Sequence, residues 1–411
     1  MKTTFEYIRN FIKWMFLALC TGVIGGVVGA LFHFCVDHVS ALRTEKPYTI
    51  YLLPVGGLLI ASLYKLFSSK GSLDTNRIMK ASAGDGDVPF VITPLIFIST
   101  VITHLFGGSA GREGAALQIG GGIGAEIGKI FRLKKQDECI ITSAGMSSVF
   151  AALFGTPVAA AVFPLEMIRV GTLNFTAFFP CIIASVTGSY ISSIMGVSPI
   201  FFDSAIDYSF SVAMLIKIIV LALFCSVLAI FFCLFMKKTE WLMKKFLPNC
   251  YLRAFIGGLI VVILTILVRT YDYNGAGMEV IFRAISGQAR SFDFLLKIIF
   301  TAITISAGFK GGEIIPTLFI GSTFGCVIAP FLGIDPGLGA AIAMIALFCS
   351  VVNCPIASIL LAVEILGSSG LIFFAVACSV SYKMSGYLGM YKSQRFIYSK
   401  LTSCSLTEKD F

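Results

Sequence analysis

A glycine-rich turn that carries one glutamate is the feature of this chain whose residue types most directly indicate chemistry. The turn spans residues 107–114, includes Glu113, and leads into an apolar stretch at 115–131. Glycine lets the backbone turn sharply and approach a ligand closely. The first N–H groups of a helix have no intrahelical partner and lie at the positive end of the helix dipole. The pattern therefore predicts an anion site at a helix N-terminus, without a full cation that would hold the anion too tightly.

Glu113 is the candidate gate of this site. An ionisable side chain at membrane depth is costly and by default marks an ion pathway. Its carboxylate can bind the same N–H groups as a permeating anion, and after protonation it can leave them, so one group can gate the anion and carry a proton. Two other interpretations stay open: the glycines serve only close helix packing, or Glu113 only caps its own helix.

A second turn of the same kind follows about 200 residues later. The first turn contains Gly111-Arg112-Glu113-Gly114, and the second contains Lys310-Gly311-Gly312-Glu313-Ile314-Ile315-Pro316. Two helix N-termini aimed at one point would form an anion site between them. Glu313 is interpreted either as a second carboxylate of the ion pathway or as a cap paired with Lys310, and the sequence leaves both open.

A proline followed by a glutamate also repeats, with nearly the same offset. Glu166 lies nine residues after Pro157, and Glu364 lies nine residues after Pro355. Two motifs in the same order at nearly the same spacing indicate two related halves. Because the two glutamates occupy equivalent places, we predict that they share a structural role.

The composition places these motifs in a membrane protein. Of the 411 residues, 57% are hydrophobic and only 13% are charged, and the mean hydropathy is +0.92. A soluble fold of this length would have too little polar surface to cover its core, so a soluble enzyme is excluded. We predict an all-α polytopic protein of the cell membrane, in contact with the lipid bilayer. Several apolar runs are shorter than the ~20 residues of a full span, which predicts helices that end partway through the membrane.

The basic residues predict how the halves are oriented. The chain has 31 Lys and Arg against 22 Asp and Glu, a net charge of +9, but the basic residues form short clusters between apolar runs. Such clusters set topology, so we predict no nucleic-acid partner. The first motif helix ends at the basic cluster 132–135, whereas the second ends at 331–336, which has no basic residue. Loops on opposite sides predict two inverted-topology repeats whose broken helices meet near the bilayer midplane.

These features divide the chain into five segments. The predicted segments are an amphipathic lead-in at 1–13, a first membrane repeat at 14–200, a connecting helix and basic loop at 201–252, a second membrane repeat at 253–390, and a C-terminal segment at 391–411 without an appended soluble domain. The histidines and cysteines show no metal-ligand or disulfide spacing, and no Ser/His/Asp cluster or nucleotide motif is present. We therefore predict no enzyme activity, no metal and no cofactor.

Taken together, the motifs resemble those of the CLC family of chloride channels and transporters. The resemblance is carried by Gly111-Arg112-Glu113-Gly114, Gly311-Gly312-Glu313-Ile314-Ile315-Pro316, Pro157-Val158-Ala159-Ala160 with Glu166, Gly389-Met390-Tyr391 and Gly71-Ser72. It implies a homodimer with one pore in each subunit and a halide as the transported ion. It also implies that Glu113 is the external gate and proton acceptor. The implied halide ligands are Ser72, Tyr391 and the backbone amides near Ile314 and Ile315.

Some positions depart from the pattern of that family. In the family the serine loop continues with Gly-Ile-Pro, whereas here Ser72 is followed by Leu73-Asp74-Thr75. Ala115 replaces a proline that the family has after Gly-Arg-Glu-Gly. Met167 stands in place of the inner glutamate that transfers protons. Loss of that glutamate together with Gly-Gly-Glu resembles the bacterial branch that exports fluoride against protons, although Ile315 is apolar where that branch tends to be polar. We predict a CLC-type halide transporter, for chloride or fluoride, coupled to protons through Glu113. The alternatives are an uncoupled chloride channel and a carrier of another small anion.

Overall fold

The computed structural model describes residues 2–67, 74–202 and 210–401, and within them the chain is built almost entirely of helices. In chain order these are α1 (Lys2–Glu45), α2 (Leu53–Phe67), α3 (Thr75–Ser82), α4 (Ile92–Leu105), α5 (Glu113–Ile130), α6 (Lys135–Phe154), α7 (Pro157–Ile168), α8 (Phe175–Ile194), α9 (Val212–Phe246), α10 (Cys250–Val268), α11 (Met278–Ile285), α12 (Asp293–Ala307), α13 (Ile314–Ile328), α14 (Pro336–Val352), α15 (Pro355–Leu366) and α16 (Leu371–Met384). Two short 3-10 helices are Pro47–Leu52 and Ala329–Leu332, and the two-residue strands β1 (Arg169–Val170) and β2 (Arg395–Phe396) pair in parallel.

The helices have the lengths and surfaces of a multi-pass membrane protein. Among the described residues, seven helical segments are long and apolar enough to cross a bilayer, and the apolar helices α4, α7, α14, α15 and α16 are shorter than that. Large apolar side chains point outward on the long helices, as at Val227, which is 64% exposed, and Leu267, which is 70% exposed. Such an apolar surface is suited to contact with lipid. The short apolar helices that the sequence predicts are present.

The helices of the two halves correspond in order, and several of the short ones also correspond in length. The helices α4 and α12 lead into the glycine-rich turns, and α5 and α13 follow them. The helices α3 and α11 have eight residues each, and α7 and α15 have twelve each. A close contact between Gly120 and Gly145 joins α5 to α6, and one between Gly325 and Gly339 joins α13 to α14. Small residues permit this close approach between membrane helices.

Each half provides a carboxylate to the other half where α7 and α15 pack together. Glu166, near the end of α7, accepts hydrogen bonds from the backbone N–H groups of Ile356 and Ala357 at 3.1 and 2.8 Å. Glu364, near the end of α15, accepts the equivalent two bonds from the first turn of α7, at 2.9 and 2.8 Å. The first N–H groups of a helix lack intrahelical partners and favour negative charge. Glu166 and Glu364 therefore exchange helix caps between the halves.

Two long helices determine how the segments near 1–13 and 201–252 are organised. Residues 2–13 belong to α1, which contains no proline and runs unbroken to Glu45. The helix α9 packs on α16, α14 and α12 in the same way as α1 packs on α8, α6 and α4. Because its neighbours correspond to those of α1, α9 is the counterpart of α1 and the first helix of the second half.

Candidate functional site

The two glycine-rich turns meet inside the protein. The backbone N–H of Gly111 donates to the carbonyl of Gly312, and the N–H of Gly312 donates to the carbonyl of Gly111, both at 2.7 Å. This antiparallel bridge is the pairing expected of two segments related by a two-fold axis, in agreement with inverted halves. A Cβ atom at residue 312 would lie 2.3 Å from the backbone nitrogen of Gly114. Only glycine allows the two turns to approach this closely.

The bridge brings together the N-termini of α5 and α13. The N–H of Ala116 is bonded to the carbonyl four residues before it at 3.0 Å, and the N–H of Thr317 is bonded in the same way at 2.9 Å. The N–H groups ahead of these have no partner within their own helices. They belong to Glu113, Gly114 and Ala115 in α5 and to Ile314 and Ile315 in α13, since Pro316 has no N–H. Two positive helix ends therefore lie close together, as an anion site requires.

Glu113 lies at this junction and is completely buried. Its exposed fraction is 0%, and neither carboxylate oxygen has a hydrogen-bond partner among the described residues. The backbone N–H groups of Arg112 and Ile315 face it from the two helices. A Cβ atom at Gly111 would lie 2.4 Å from its Oε2. Because the carboxylate makes no capping bond, it occupies the place of an anion between the two helix ends without being fixed there.

Arg112 lies beside Glu113 and is held by an acidic partner of its own. Its Nη1 donates to Oδ1 of Asp37 at 2.6 Å, and its Nε lies 3.9 Å from Oε1 of Glu113. Nε2 of His33 lies 2.9 Å from the other oxygen of Asp37. The positive charge of Arg112 is therefore partly neutralised by Asp37, which lies near the end of α1. This pairing weakens the pull of Arg112 on an anion.

A cavity of about 570 Å³ lies on the other side of the junction and reaches Gly311 and Glu313. Among the described residues, its charged lining consists of the cations Lys237, Lys244, Arg253, Lys310 and Lys392 and the carboxylates Asp74, Glu240 and Glu313. The excess of cations raises the local concentration of anions. The cavity begins at the basic end of α9, the kind of end that faces the cytoplasm. The cavity therefore connects the basic end of α9 with the N-terminus of α13.

Glu313 belongs to the wall of this cavity. It is the N-cap residue of α13, but its side chain makes no capping hydrogen bond. The Nζ of Lys310 lies 4.2 Å from the ring centroid of Tyr64 instead, where it makes a cation–π contact. Glu313 therefore does not cap α13, and it borders the cavity instead.

Tyr391 borders the same cavity and is only 7% exposed. Ser72 lies outside the described residues. The helix that comes next, α3, begins on the cavity wall at Thr75, and the side chain of Asp74 caps it by accepting from the N–H of Arg77 at 3.2 Å. The expected ligand Tyr391 and the N-termini of α3 and α13 therefore share one cavity.

The other predicted residues lie apart from the cavity wall. Met167 is completely buried beside Glu166, at the contact between α7 and α15, where Glu364 also lies. The buried thioether of Met167 has no proton to give. No proton path through this position follows from the residues present.

Gln118 is a further polar residue of the site, and it belongs to none of the sequence motifs. It lies on α5, is 4% exposed and borders the cavity. Its Nε2 donates to Oγ1 of Thr75 at 2.9 Å, while its Oε1 has no partner among the described residues. A buried amide with one free polar atom is suited to bind water or another donor. The signal in the sequence is a single amide within the otherwise apolar and glycine-rich stretch 114–125.

Comparison with known proteins identifies relatives along nearly the whole chain. The model of the family described as voltage gated chloride channel matches residues 56–386. A chloride/fluoride channel protein of Pseudomonas syringae pv. tomato is 32% identical over 395 residues, which cover 94% of this chain and 87% of that protein. An H(+)/Cl(-) exchange transporter of Vibrio vulnificus is 27% identical over 411 residues, covering 90% of this chain and 85% of that protein.

One solved structure is similar over nearly the full length of both chains. It is described as a CLC-type fluoride/proton antiporter, it has a TM-score of 0.89 and 31% sequence identity, and the match covers 94% of this chain and 98% of that one. This likeness confirms the prediction of an all-α polytopic fold with two inverted repeats and broken helices.

Proposed function

Because the chain belongs to the voltage-gated chloride channel family, the CLC family, we propose that it exchanges a halide for protons across the cell membrane. The observation that carries this proposal is Glu113, a buried carboxylate without a hydrogen-bond partner at the meeting point of two helix N-termini. Two of the relatives are described as halide/proton exchangers, which supports the coupling.

The halide takes the place that the carboxylate of Glu113 now occupies. Both are anions, and both are stabilised by the unpaired N–H groups of α5 and α13. The two cannot be bound there together, because like charges at this distance repel strongly where water is excluded. Binding of the halide therefore requires that Glu113 leave the site or lose its charge.

Protonation of Glu113 couples the two ions. A neutral carboxylic acid has little attraction to the helix ends, so the protonated side chain moves aside and the halide passes. When Glu113 releases its proton to the other side, the carboxylate returns and closes the path. Each passage of halide is then linked to movement of a proton in the opposite direction.

The proton moves between Glu113 and the cytoplasm by way of the cavity rather than through α7. Met167 is a buried thioether, whereas Glu313 and Gln118 both border the cavity. A carboxylate and an amide on the wall of a wet cavity can hold water, and water carries the proton onward. We therefore assign Glu313 to the ion pathway.

Fluoride is the halide that we propose first. The relative with the solved structure is described as a fluoride/proton antiporter. Fluoride is small and strongly hydrated, so its dehydration must be compensated by many hydrogen-bond donors. The five unpaired N–H groups of the two helix ends, with the hydroxyl groups of Ser72 and Tyr391 as further ligands, supply such donors.

Three further features belong to this proposal. Two copies of the chain form a homodimer in which each subunit has its own pathway, as the family resemblance implies. The exposed apolar side chains of the long helices contact lipid. The protein moves ions without catalysing a chemical reaction.

The test is a flux measurement on purified protein in liposomes. Halide efflux and proton uptake are recorded together, first with a fluoride gradient and then with a chloride gradient. We expect halide efflux to drive proton uptake, with faster transport of fluoride. Halide efflux without proton movement would identify an uncoupled channel, and no flux of either halide would favour a carrier of another small anion.

A further inference from the structure

Residues 392–401 form a strap across the ends of several helices, and Tyr391 directly precedes it. The strand β2 lies in the strap and pairs with β1, which follows α7. Arg395 forms an ion pair with Asp85, in the loop after α3. Because the strap is attached to elements of both halves, the position of the chain next to Tyr391 depends on how the strap is held.

Gln394 attaches the beginning of the strap to α14 and α7. Its Nε2 donates to the carbonyls of Val352 at 2.7 Å and Met167 at 3.1 Å. Its Oε1 accepts a hydrogen bond from Nδ2 of Asn353 at 3.1 Å. All polar atoms of the Gln394 amide are therefore engaged three residues after Tyr391.

Asn353 holds the chain on both sides of Tyr391. Its Nδ2 donates to the carbonyl of Leu388 at 3.3 Å as well as to Gln394. A Cβ atom at Gly389 would lie 2.6 Å from this nitrogen, so the glycine lets the amide lie directly against the backbone. The φ angle of Asn353 is +58°, a left-handed conformation that asparagine tolerates better than most residues.

Lys400 fixes the orientation of the Asn353 amide. The Nζ of Lys400 donates to Oδ1 of Asn353 at 2.5 Å, to the carbonyl of Tyr382 at 2.9 Å and to Oγ of Ser385 at 3.3 Å. It also lies 3.9 Å from the ring centroid of Tyr382. The residue is 5% exposed, and burial lowers the pKa of Lys400 to about 8. The ammonium is therefore still protonated at neutral pH and donates all three bonds.

We propose that Lys400 is a positioning residue for ion transport: through Asn353 and Gln394 it sets the place of Tyr391 on the cavity wall. The proposal rests on the function proposed above, in which the hydroxyl of Tyr391 contacts the halide. Without the ammonium, Oδ1 of Asn353 loses its partner and the amide can turn. The bonds that hold Leu388 and Gln394 then weaken, and the tyrosine between them loses its fixed position.

The experiment is a double-mutant cycle on halide affinity. Halide binding to the full-length protein in detergent is measured by calorimetry for wild type, Lys400→Met, Tyr391→Phe and the double variant. We expect Lys400→Met to weaken binding by about fivefold to tenfold, no more than Tyr391→Phe does. In the Tyr391→Phe background the same change should have no further effect, because the hydroxyl that it positions is already absent.

Two further variants keep the proposal falsifiable. Asn353→Gly retains the left-handed backbone and removes only the amide link, so it should lower the affinity as much as Lys400→Met, even if Lys400→Met fails to fold. Lys383→Met removes an exposed lysine of α16 and should bind halide like wild type.

The outcomes distinguish this proposal from the function on which it rests. Wild-type protein that binds no halide would overturn both. Wild-type protein that binds halide, with equal losses of affinity for Lys400→Met in both backgrounds, would overturn the positioning role and leave a general structural one.

Discussion

Glu113 is retained in its place by the surrounding helix ends rather than by hydrogen bonds of its own. Its two oxygens are buried without hydrogen-bond partners among the described residues. Oε2 lies against the backbone of Gly111, where a side chain would collide with it. A group held by a field instead of by directed bonds is easily displaced by another anion. The same group is easily displaced by its own protonation, which removes the charge that the field acts on.

Replacing Glu113 with glutamine tests this arrangement at one atom. The amide of Glu113→Gln has the size of the carboxylic acid but cannot release or take up a proton. We expect proton coupling to be lost while halide still passes, and the residual flux should depend less on pH than that of wild type. Parallel halide and proton recordings from liposomes provide the measurement. Coupled, pH-dependent exchange in this variant would exclude Glu113 as the gate.

The hydroxyl of Tyr391 is the second test at a single residue. A hydrogen bond to a charged group is worth about 1.5–3 kcal/mol, so Tyr391→Phe should weaken halide binding about tenfold and at most about a hundredfold. The ring that fills the cavity wall is retained, and the variant should therefore fold normally. Calorimetric titration with fluoride and chloride measures the effect. An affinity equal to that of wild type would mean that the hydroxyl does not contact the ion.

Single residues could be predicted from the sequence only where local pattern decides their role. Glu113 follows a glycine-rich turn, and that pattern alone indicates a helix end and an anion. Gln118 and Lys400 have no such local signal, because what they do depends on Thr75 and Asn353, which are more than forty residues away along the chain. Such pairings are set by tertiary packing, which a single sequence does not reveal.

The helices α7 and α15 show which features of a whole helix can be predicted from the sequence and which cannot. Each begins with a proline, which has no N–H to leave unpaired, and each carries a glutamate nine residues later. The repeated spacing predicts a shared structural role for Glu166 and Glu364. The spacing does not reveal that each carboxylate binds the other helix, because the two helices are about 200 residues apart in sequence and meet only in the folded protein.

The exchanged caps predict a loss of stability without a loss of transport chemistry. In Glu166→Gln the side chain keeps its volume, but the charge and one of the two acceptor oxygens are lost. We expect the protein to be destabilised by about 1.5–3 kcal/mol, the worth of one hydrogen bond to a charged group. Thermal unfolding in detergent measures this change, and Glu364→Gln should give a similar value.

An exposed carboxylate provides the matched control for this change. Glu279 lies on the surface of α11, and Glu279→Gln should unfold at the wild-type temperature. Halide affinity should be unchanged in all three variants, since none of the three carboxylates borders the cavity. If Glu166→Gln were as stable as wild type but defective in proton coupling, Glu166 would belong to the proton path instead.

The inversion of the two halves is a property of the entire fold, and it makes a prediction about sidedness. Lys134 should face the cytoplasm, whereas Phe331, which is 83% exposed at the equivalent end of the second half, should face outside. In a background in which the exposed Cys35 is replaced by serine, we expect Lys134→Cys and Phe331→Cys to react with a membrane-impermeant thiol reagent from opposite sides of intact cells and inverted vesicles. Labelling of both from one side would contradict the inverted repeat.

The overall architecture could be predicted from the sequence, whereas several of its details could not. Hydropathy, the repeated motifs and the charge difference between 132–135 and 331–336 are sufficient to predict two inverted repeats. They do not predict the strap at 392–401, because its mixed composition has no periodicity. The strap is ordered by contacts with helices from both halves, and such contacts become visible only when the fold is known.

The exchange of caps between α7 and α15 has a consequence for biosynthesis. When the ribosome has delivered α7 to the membrane, α15 has not yet been made, and the first-turn N–H groups of α7 and the charge of Glu166 have no partners. Each unpaired group costs several kcal/mol in hydrocarbon. The first half must therefore remain in a protein-lined or hydrated environment until about 200 further residues have been translated. In a chain that terminates early, these helix ends and the carboxyl group of Glu166 stay unpaired, so we expect such a fragment to be less stable in the bilayer than the complete chain.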